Sequence, residues 1–228
     1  MPQLHTDRRY EEELSGLKAQ LLRMGGIVER AIEQAVRALV ERDSSLAQQT
    51  IDLDTQIDEM EVDIEERVTR ILALHAPTAR DLRFILTANR VSNDLERIGD
   101  LATSISERAL ELNREPQLKP YIDIPKMAEM SQRMVREALD AFVREDAELA
   151  IRVHKADDAL DQLNDQIFRE LLTYMMQDPT TIGRALRIIF VSKSLERIGD
   201  HATNIAEMVV FMTKGKVIKH MHVPYDKV

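Results

Sequence analysis

The sequence predicts an all-α protein, a tandem repeat of two antiparallel three-helix bundles with six long helices. Three observations carry that expectation. Seven Gly and seven Pro in 228 residues, with 31% charged and 4% aromatic residues, leave little material for turns and strands and much for helices. Between the prolines at 77, 116, 120, 125 and 179, apolar residues recur in steps of three and four rather than alternating. Finally, LERIGDLATSISE at 95–107 is nearly written again as LERIGDHATNIAE at 195–207.

The elements follow in order. Leu14, Leu17, Leu21, Met24, Val28, Ala31 and Ala35 give one stripe to a first helix over 7–42, and Ile57, Met60, Ile64, Val68 and Ile71 to a second over 44–75. A third starts just after Pro77 and runs to about 114; at 1.5 Å per residue it is ~54 Å long, which predicts an elongated molecule. REPQLKPYIDIP reads as a linker, followed by helices over 126–144, 146–177 and 180–214 and a basic tail. The second half copies the first: 42–58 aligns with 145–161 at an offset of 103, and ten of eighteen positions are identical between 93–110 and 193–210. The expected units are a first bundle over 1–114, a Pro-rich linker over 115–125, a second bundle over 126–214 and a tail over 215–228.

A net charge of −9 and the absence of long basic blocks argue against nucleic acid as a partner. The first residues are too charged for a signal peptide and no apolar run reaches the length of a membrane span, so a cytoplasmic protein is expected, not an integral membrane one. There is no cysteine, so any chemistry rests on oxygen and imidazole.

Within the repeat, Val91, Leu95, Ile98, Ala102, Ile105 and Ala109, matched by Val191, Leu195, Ile198, Ala202, Ile205 and Val209, read as bundle core. Glu96 and Asp100 lie within ~40° of each other and roughly 150° from that stripe, which predicts a pair on the outside of the helix. Such an i,i+4 like-charge pair costs about 0.2–0.5 kcal/mol. Gly99 and Gly199 add up to roughly 1 kcal/mol each as helix-interior glycines. Two readings coexist: a solvated face, with Arg97 and Arg197 pairing to Asp100 and Asp200 and the glycines admitting a neighbour, or a site.

The second helix of each unit favours a site, because Asp54 and Asp58 again stand at i,i+4 and Asp157 and Asp161 repeat them. Side by side, the helices bring Asp54, Asp58, Glu96 and Asp100 to one groove and Asp157, Asp161, Glu196 and Asp200 to another. Four like charges repel until a cation enters, and oxygen-only donors suit magnesium, manganese, calcium or iron. Glu61, Glu107 and Glu207 extend the acidic rows with lower rank, Asn164 replacing the counterpart of Glu61. His201 is a candidate ligand in one unit only, and His220 and His222 are assigned to the tail.

These residues, with PTARDLRFIL at 77–86, NDLERIGDLA at 93–102 and SLERIGDHATNIAE at 194–207, resemble the PhoU family of accessory regulators of phosphate-specific transport over nearly the whole chain. The resemblance implies two three-helix bundles carrying multinuclear metal clusters, iron or zinc in some members, on the acidic pairs named above. The candidate cofactor is therefore a divalent or multinuclear metal: iron, zinc, manganese or magnesium. It also implies a negative regulator of the phosphate-starvation response that contacts the transporter's ATPase subunit and a sensor histidine kinase. A homodimer is expected, with the exposed sides of the first and fourth helices as the surfaces in question. The competing expectation is a di-metal carboxylate enzyme, a phosphoester hydrolase or oxidase; against it, no histidine has a glutamate three residues before it.

Overall fold

A computed structural model describes residues 8–215 of the chain. Seven α-helices follow one another: α1 Arg8–Val40, α2 Ser44–Asp52, α3 Asp54–Leu74, α4 Ala79–Leu112, α5 Asp123–Arg144, α6 Ala147–Gln177 and α7 Ile182–Lys214, with a one-turn 3₁₀ helix at Pro179–Thr181. No strand forms among the described residues. The twelve stripe residues assigned to the bundle cores are fully buried. His220 and His222 lie outside the described residues.

The expected second helix is interrupted at Leu53. There the backbone stays helical (φ −69°, ψ −21°), but the Leu53 N–H donates to the Thr50 carbonyl at 3.2 Å, a bond three residues back that tightens the turn. The second copy, α6, runs through the equivalent position unbroken.

The repeat extends to the backbone of the first turn in each unit. Among the described residues, Arg42 and its counterpart Glu145 are the two non-glycine residues with positive φ, 59° and 53°. Each is followed by an aspartate N-cap: Asp43 accepts from the Ser45 and Leu46 N–H groups at 2.9 and 3.0 Å, and Asp146 from that of Leu149 at 2.9 Å. The strained conformation at Arg42 is supported from outside, since its guanidinium donates to the Asn113 and Glu115 carbonyls at 2.8 and 2.7 Å.

The linker covers residues 113–122, beginning and ending earlier than expected, and it is tied to the bundles. Asp123 opens α5, which leaves Pro125 in the first turn, where a missing N–H breaks no helical bond. Lys119 and Tyr121 are buried, with Lys119 paired to Glu170, and Arg184 donates to the Pro116 carbonyl at 3.0 Å.

The two bundles lie against each other rather than end to end, and a single apolar core runs through both. Antiparallel α4 and α7 form the middle of the molecule: His201 Nδ1 meets Asp94 Oδ1 at 2.8 Å, Arg187 Nε meets Glu111 Oε2 at 2.6 Å, and Arg83 Nε donates to the Met212 carbonyl at 3.1 Å. Antiparallel α1 and α5 form a second seam. Gln132 donates to the Glu29 carbonyl at 2.9 Å, Arg136 pairs with the Glu29 carboxylate at 2.8 Å, and Leu139 occupies the space where Gly25 lacks a Cβ. The facing sides of the first and fourth helices, considered above for protomer pairing, are therefore used within the chain.

Candidate metal-binding carboxylate grooves

Each repeat closes one acidic groove, α3 against α4 and α6 against α7. The helix-interior glycines set the closeness of approach. A Cβ at Gly99 would stand 2.9 Å from Ile57 Cδ1, and one at Gly199 would stand 2.5 Å from Leu160 Cδ2 and 3.2 Å from Asp157 Oδ1. Both readings of the glycine thus describe one fact: the neighbour comes close, and it carries the carboxylates.

The expectation that Glu96 and its counterpart sit on the outside is corrected. Glu196 is 8% exposed and the Glu96 side chain 14% exposed. The stripe accounts for only one covered side of α4 and α7, whereas each is a central helix with neighbours on several sides. Asp100 remains half-exposed and Asp200 exposed.

In the first groove the Thr103 hydroxyl donates to Asp54 Oδ1 at 3.1 Å, the Asn93 amide to Glu61 Oε1 at 3.0 Å, and Arg97 Nη1 to Asp100 Oδ2 at 3.0 Å. Arg97 Nε is 3.3 Å from Glu96 Oε2, yet that oxygen is buried without a hydrogen bond, so the contact is coulombic and poorly aligned. Burial, and then the charges of Asp100, Glu61 and Asp58 against the opposing Arg97, push the Glu96 carboxyl up to about 7. Burial also raises Asp54; Thr103 opposes that shift, and the charges of Asp58, Asp100 and Glu107 add to it.

The second groove has the same carboxylates with different partners. Lys193, in place of Asn93, donates to Glu196 Oε1 at 2.5 Å, while Glu196 Oε2 is buried without a hydrogen bond. Asp157 Oδ1 and the Thr203 hydroxyl are likewise unbonded, although the equivalent Asp54 and Thr103 are joined. Burial, then Asp161 and Asp200, push the Asp157 carboxyl up to about 6 against the opposing His154. Asp161 is raised by burial and by Glu196, and Asp200 by burial and by Asp161, with Lys193 opposing both.

The eight carboxylates therefore share two grooves and feel one another's charge. As their side chains stand, no three Asp, Glu or His among the described residues are assembled as a metal-binding set. The donor chemistry fits a hard cation: three buried oxygens, Glu96 Oε2, Asp157 Oδ1 and Glu196 Oε2, lack a hydrogen-bond partner inside grooves lined by further carboxylates. Bringing three donors onto one ion requires rotation of these side chains.

Other groups became visible only in three dimensions. His154 Nε2 lies 3.7 Å from Glu207 Oε1, beyond hydrogen-bond reach, and the Glu207 carboxylate raises its pKa. His201, a candidate ligand from the sequence, instead bonds Asp94 across the seam between the repeats, as does Asn204 at 3.4 Å. Thr103 carried one signal, its identity with Thr203 in the repeat; His154 and Asp94 carried none, since Ile51 and Ser194 stand at the equivalent positions.

A protein-family model described as the PhoU domain matches this chain twice, over residues 21–109 and 124–209. A Pseudomonas putida protein called phosphate-specific transport system accessory protein PhoU homolog is 45% identical over 218 residues, covering 95% of this chain and 85% of its own. The Escherichia coli K12 phosphate-specific transport system accessory protein PhoU is 36% identical over 217 residues, with 95% and 90% covered. Among solved structures, the crystal structure of PhoU from Pseudomonas aeruginosa superposes with a TM-score of 0.88 at 46% identity, covering 91% of this chain and 100% of that one. The phosphate transport system regulatory protein PhoU from Streptococcus pneumoniae superposes with a TM-score of 0.86 at 30% identity, with 92% and 99% covered.

Proposed function

Given that this chain belongs to the PhoU family, we propose that it is a cytoplasmic, non-catalytic, metal-binding regulator of phosphate uptake. In this reading it represses the phosphate-starvation response when phosphate is plentiful, through contacts with the phosphate transporter's ATPase subunit and a sensor histidine kinase. The names of its relatives support the phosphate role. No helix among the described residues is long and apolar enough to cross a membrane, which accords with a protein that meets the transporter from outside the bilayer.

The single observation behind the metal is the repeated burial of unpaired carboxylate oxygens in like-charged grooves. Asp54, Asp58, Glu96 and Asp100 would hold cations in the first groove, and Asp157, Asp161, Glu196 and Asp200 in the second. A bound cation would supply charge neutralisation and open positions for a phosphate oxygen or a partner's carboxylate. Iron, zinc, manganese and magnesium are the candidates, and elemental analysis of protein from its native host reads which is present. The expected homodimer would use a surface other than the α1–α5 seam.

The test is co-purification of chelator-stripped and metal-loaded protein with the transporter ATPase at high and low phosphate. Affinity that depends on metal loading supports the reading. Equal affinity in all four conditions removes the metal from the regulatory mechanism.

A further inference from the structure

At the end away from Lys193, the second groove departs from the first in one tier of side chains. His154 stands three residues before Asp157 on α6, and Glu207 four residues after Thr203 on α7. The helices run antiparallel with Leu160 against Gly199, which sets Asp157 level with Thr203, and His154 Nε2 is 3.7 Å from Glu207 Oε1. Thr203 and Glu207 are each only 9% exposed. The Thr203 hydroxyl and Asp157 Oδ1 are buried without a hydrogen bond, and that oxygen is aimed at the α7 backbone, 3.2 Å from where a Cβ at Gly199 would stand.

The first repeat closes the same tier on itself. Thr103 donates to Asp54 Oδ1 at 3.1 Å, Ile51 stands in the place of His154, and the Glu107 side chain is 52% exposed beside Arg108. In the second copy a ring nitrogen enters, the carboxylate opposite it is covered, and the threonine–aspartate bond is open. The sister repeat shows that the fold needs none of these changes. Lys193 does not account for them, because it bonds Glu196 and opposes the charges of Asp161 and Asp200, whereas the group set against Asp157 is His154. The spacing of His154 and Glu207 is too long for a hydrogen bond. It suits two ligands of one ion, since donors each ~2.1 Å from a shared metal stand ~3.0–4.2 Å apart.

We infer that His154, Asp157 and Glu207 give the second groove a mixed nitrogen–oxygen metal site that selects zinc or iron(II), while the first groove, with Ile51 in place of the histidine, keeps an all-oxygen site for magnesium or manganese. Imidazole favours the later transition metals, and carboxylate alone favours the harder ions. As the side chains stand the three ligands are not gathered on one point. Rotation of the Asp157 carboxylate brings them together, and Thr203, in the place of Thr103, is the hydroxyl that holds it there. Asp157 also feels Asp161, Asp200 and Glu196, so this ion belongs to the second groove's carboxylate set and is lost with it. The inference rests on the metal reading of the grooves and adds a nitrogen ligand and a metal class to it.

The test is pulsed electron paramagnetic resonance of the chelator-stripped full chain loaded with manganese, which detects a nitrogen bound to the ion. It is run on the wild type, on Glu96→Gln/Asp100→Asn to confine manganese to the second groove, and on that variant carrying His154→Ile, the residue of the sister repeat. Circular dichroism confirms the folds, and His154→Gln serves if the isoleucine variant does not fold. Zinc affinity is measured alongside by competition with a chromophoric chelator. The expected result is nitrogen coupling that disappears with His154, and zinc binding weakened tenfold or more by His154→Ile and by Glu207→Gln but not by Glu107→Gln. Bound manganese without nitrogen coupling, coupling undiminished in the His154 variant, or zinc affinity unchanged by either second-groove substitution overturns the inference and leaves the carboxylate grooves standing. No manganese bound by the wild type overturns both.

Discussion

Replacing Glu96 by Gln in metal-free protein should stabilise the fold at alkaline pH and leave it unchanged in acid. The Glu96 carboxyl rises from 4.5 to about 7 in the folded chain. Between those values the folded state holds a proton that the unfolded state has released, so stability falls as pH rises through the window. The full shift corresponds to roughly 3 kcal/mol at 1.36 kcal/mol per unit. Arg97, itself 55% exposed, lies against the carboxylate, and solvent screening reduces the effect to about 1–2 kcal/mol. Urea unfolding in chelator at pH 8 should therefore show Glu96→Gln more stable than wild type by about 1–2 kcal/mol, and at pH 4 the two should agree within about 0.5 kcal/mol. A variant less stable at pH 8, or equally stabilised at both pH values, would refute a charge penalty at this site. Manganese at a hundred times its dissociation constant should add about 2.7 kcal/mol to the wild type at pH 8, and less to the variant.

The groove geometry makes further predictions. Gly199→Ala places a Cβ against Leu160 and Asp157 and should lower stability by about 1–2 kcal/mol despite better helix propensity, while Gly26→Ala, with nothing within 4 Å, should raise it by about 0.5–1 kcal/mol; urea midpoints compare the two. Asp94 and His201 should show a coupling of about 1–2 kcal/mol in a double-mutant cycle, because their 2.8 Å bond joins the repeats; additivity within about 0.3 kcal/mol would show that the bond contributes nothing. Arg42→Ala should cost about 1.5–3 kcal/mol by releasing the Asn113 and Glu115 carbonyls, and faster hydrogen exchange at 113–119 checks that the linker is what loosens.

Much of the fold was legible because helical periodicity and proline positions are local signals. The stripe from Val91 to Ala109 fixes which side of α4 is core, and Pro77 and Pro179 fix where the long helices begin. Lateral packing was not legible in the same way. One stripe cannot report that α4 and α7 are covered on several sides, so Glu96 and Glu196 were expected outside, whereas Glu196 is buried and Glu96 largely covered. The seam between α1 and α5 depends on Gly25 and Leu139 meeting, a long-range fit without periodic signature. The carboxylate positions followed from the repeat, but their partners did not. Lys193 beside Glu196, Thr103 on Asp54 and the unbonded Thr203 depend on rotamers and on which helix lies opposite.

The most direct test of the metal grooves is calorimetric titration of chelator-stripped protein with manganese at pH 6.5, in two buffers of different ionisation enthalpy. Glu96, near 7, is then mostly protonated and Asp157, near 6, in minor part, and a cation must displace those protons. Saturable binding accompanied by proton release is the predicted result, with both lost in Glu96→Gln/Asp100→Asn/Glu196→Gln/Asp200→Asn while the helical spectrum is retained. Absence of binding by the wild type, or the same binding and proton release in the quadruple variant, would contradict the assignment of these carboxylates to a cation.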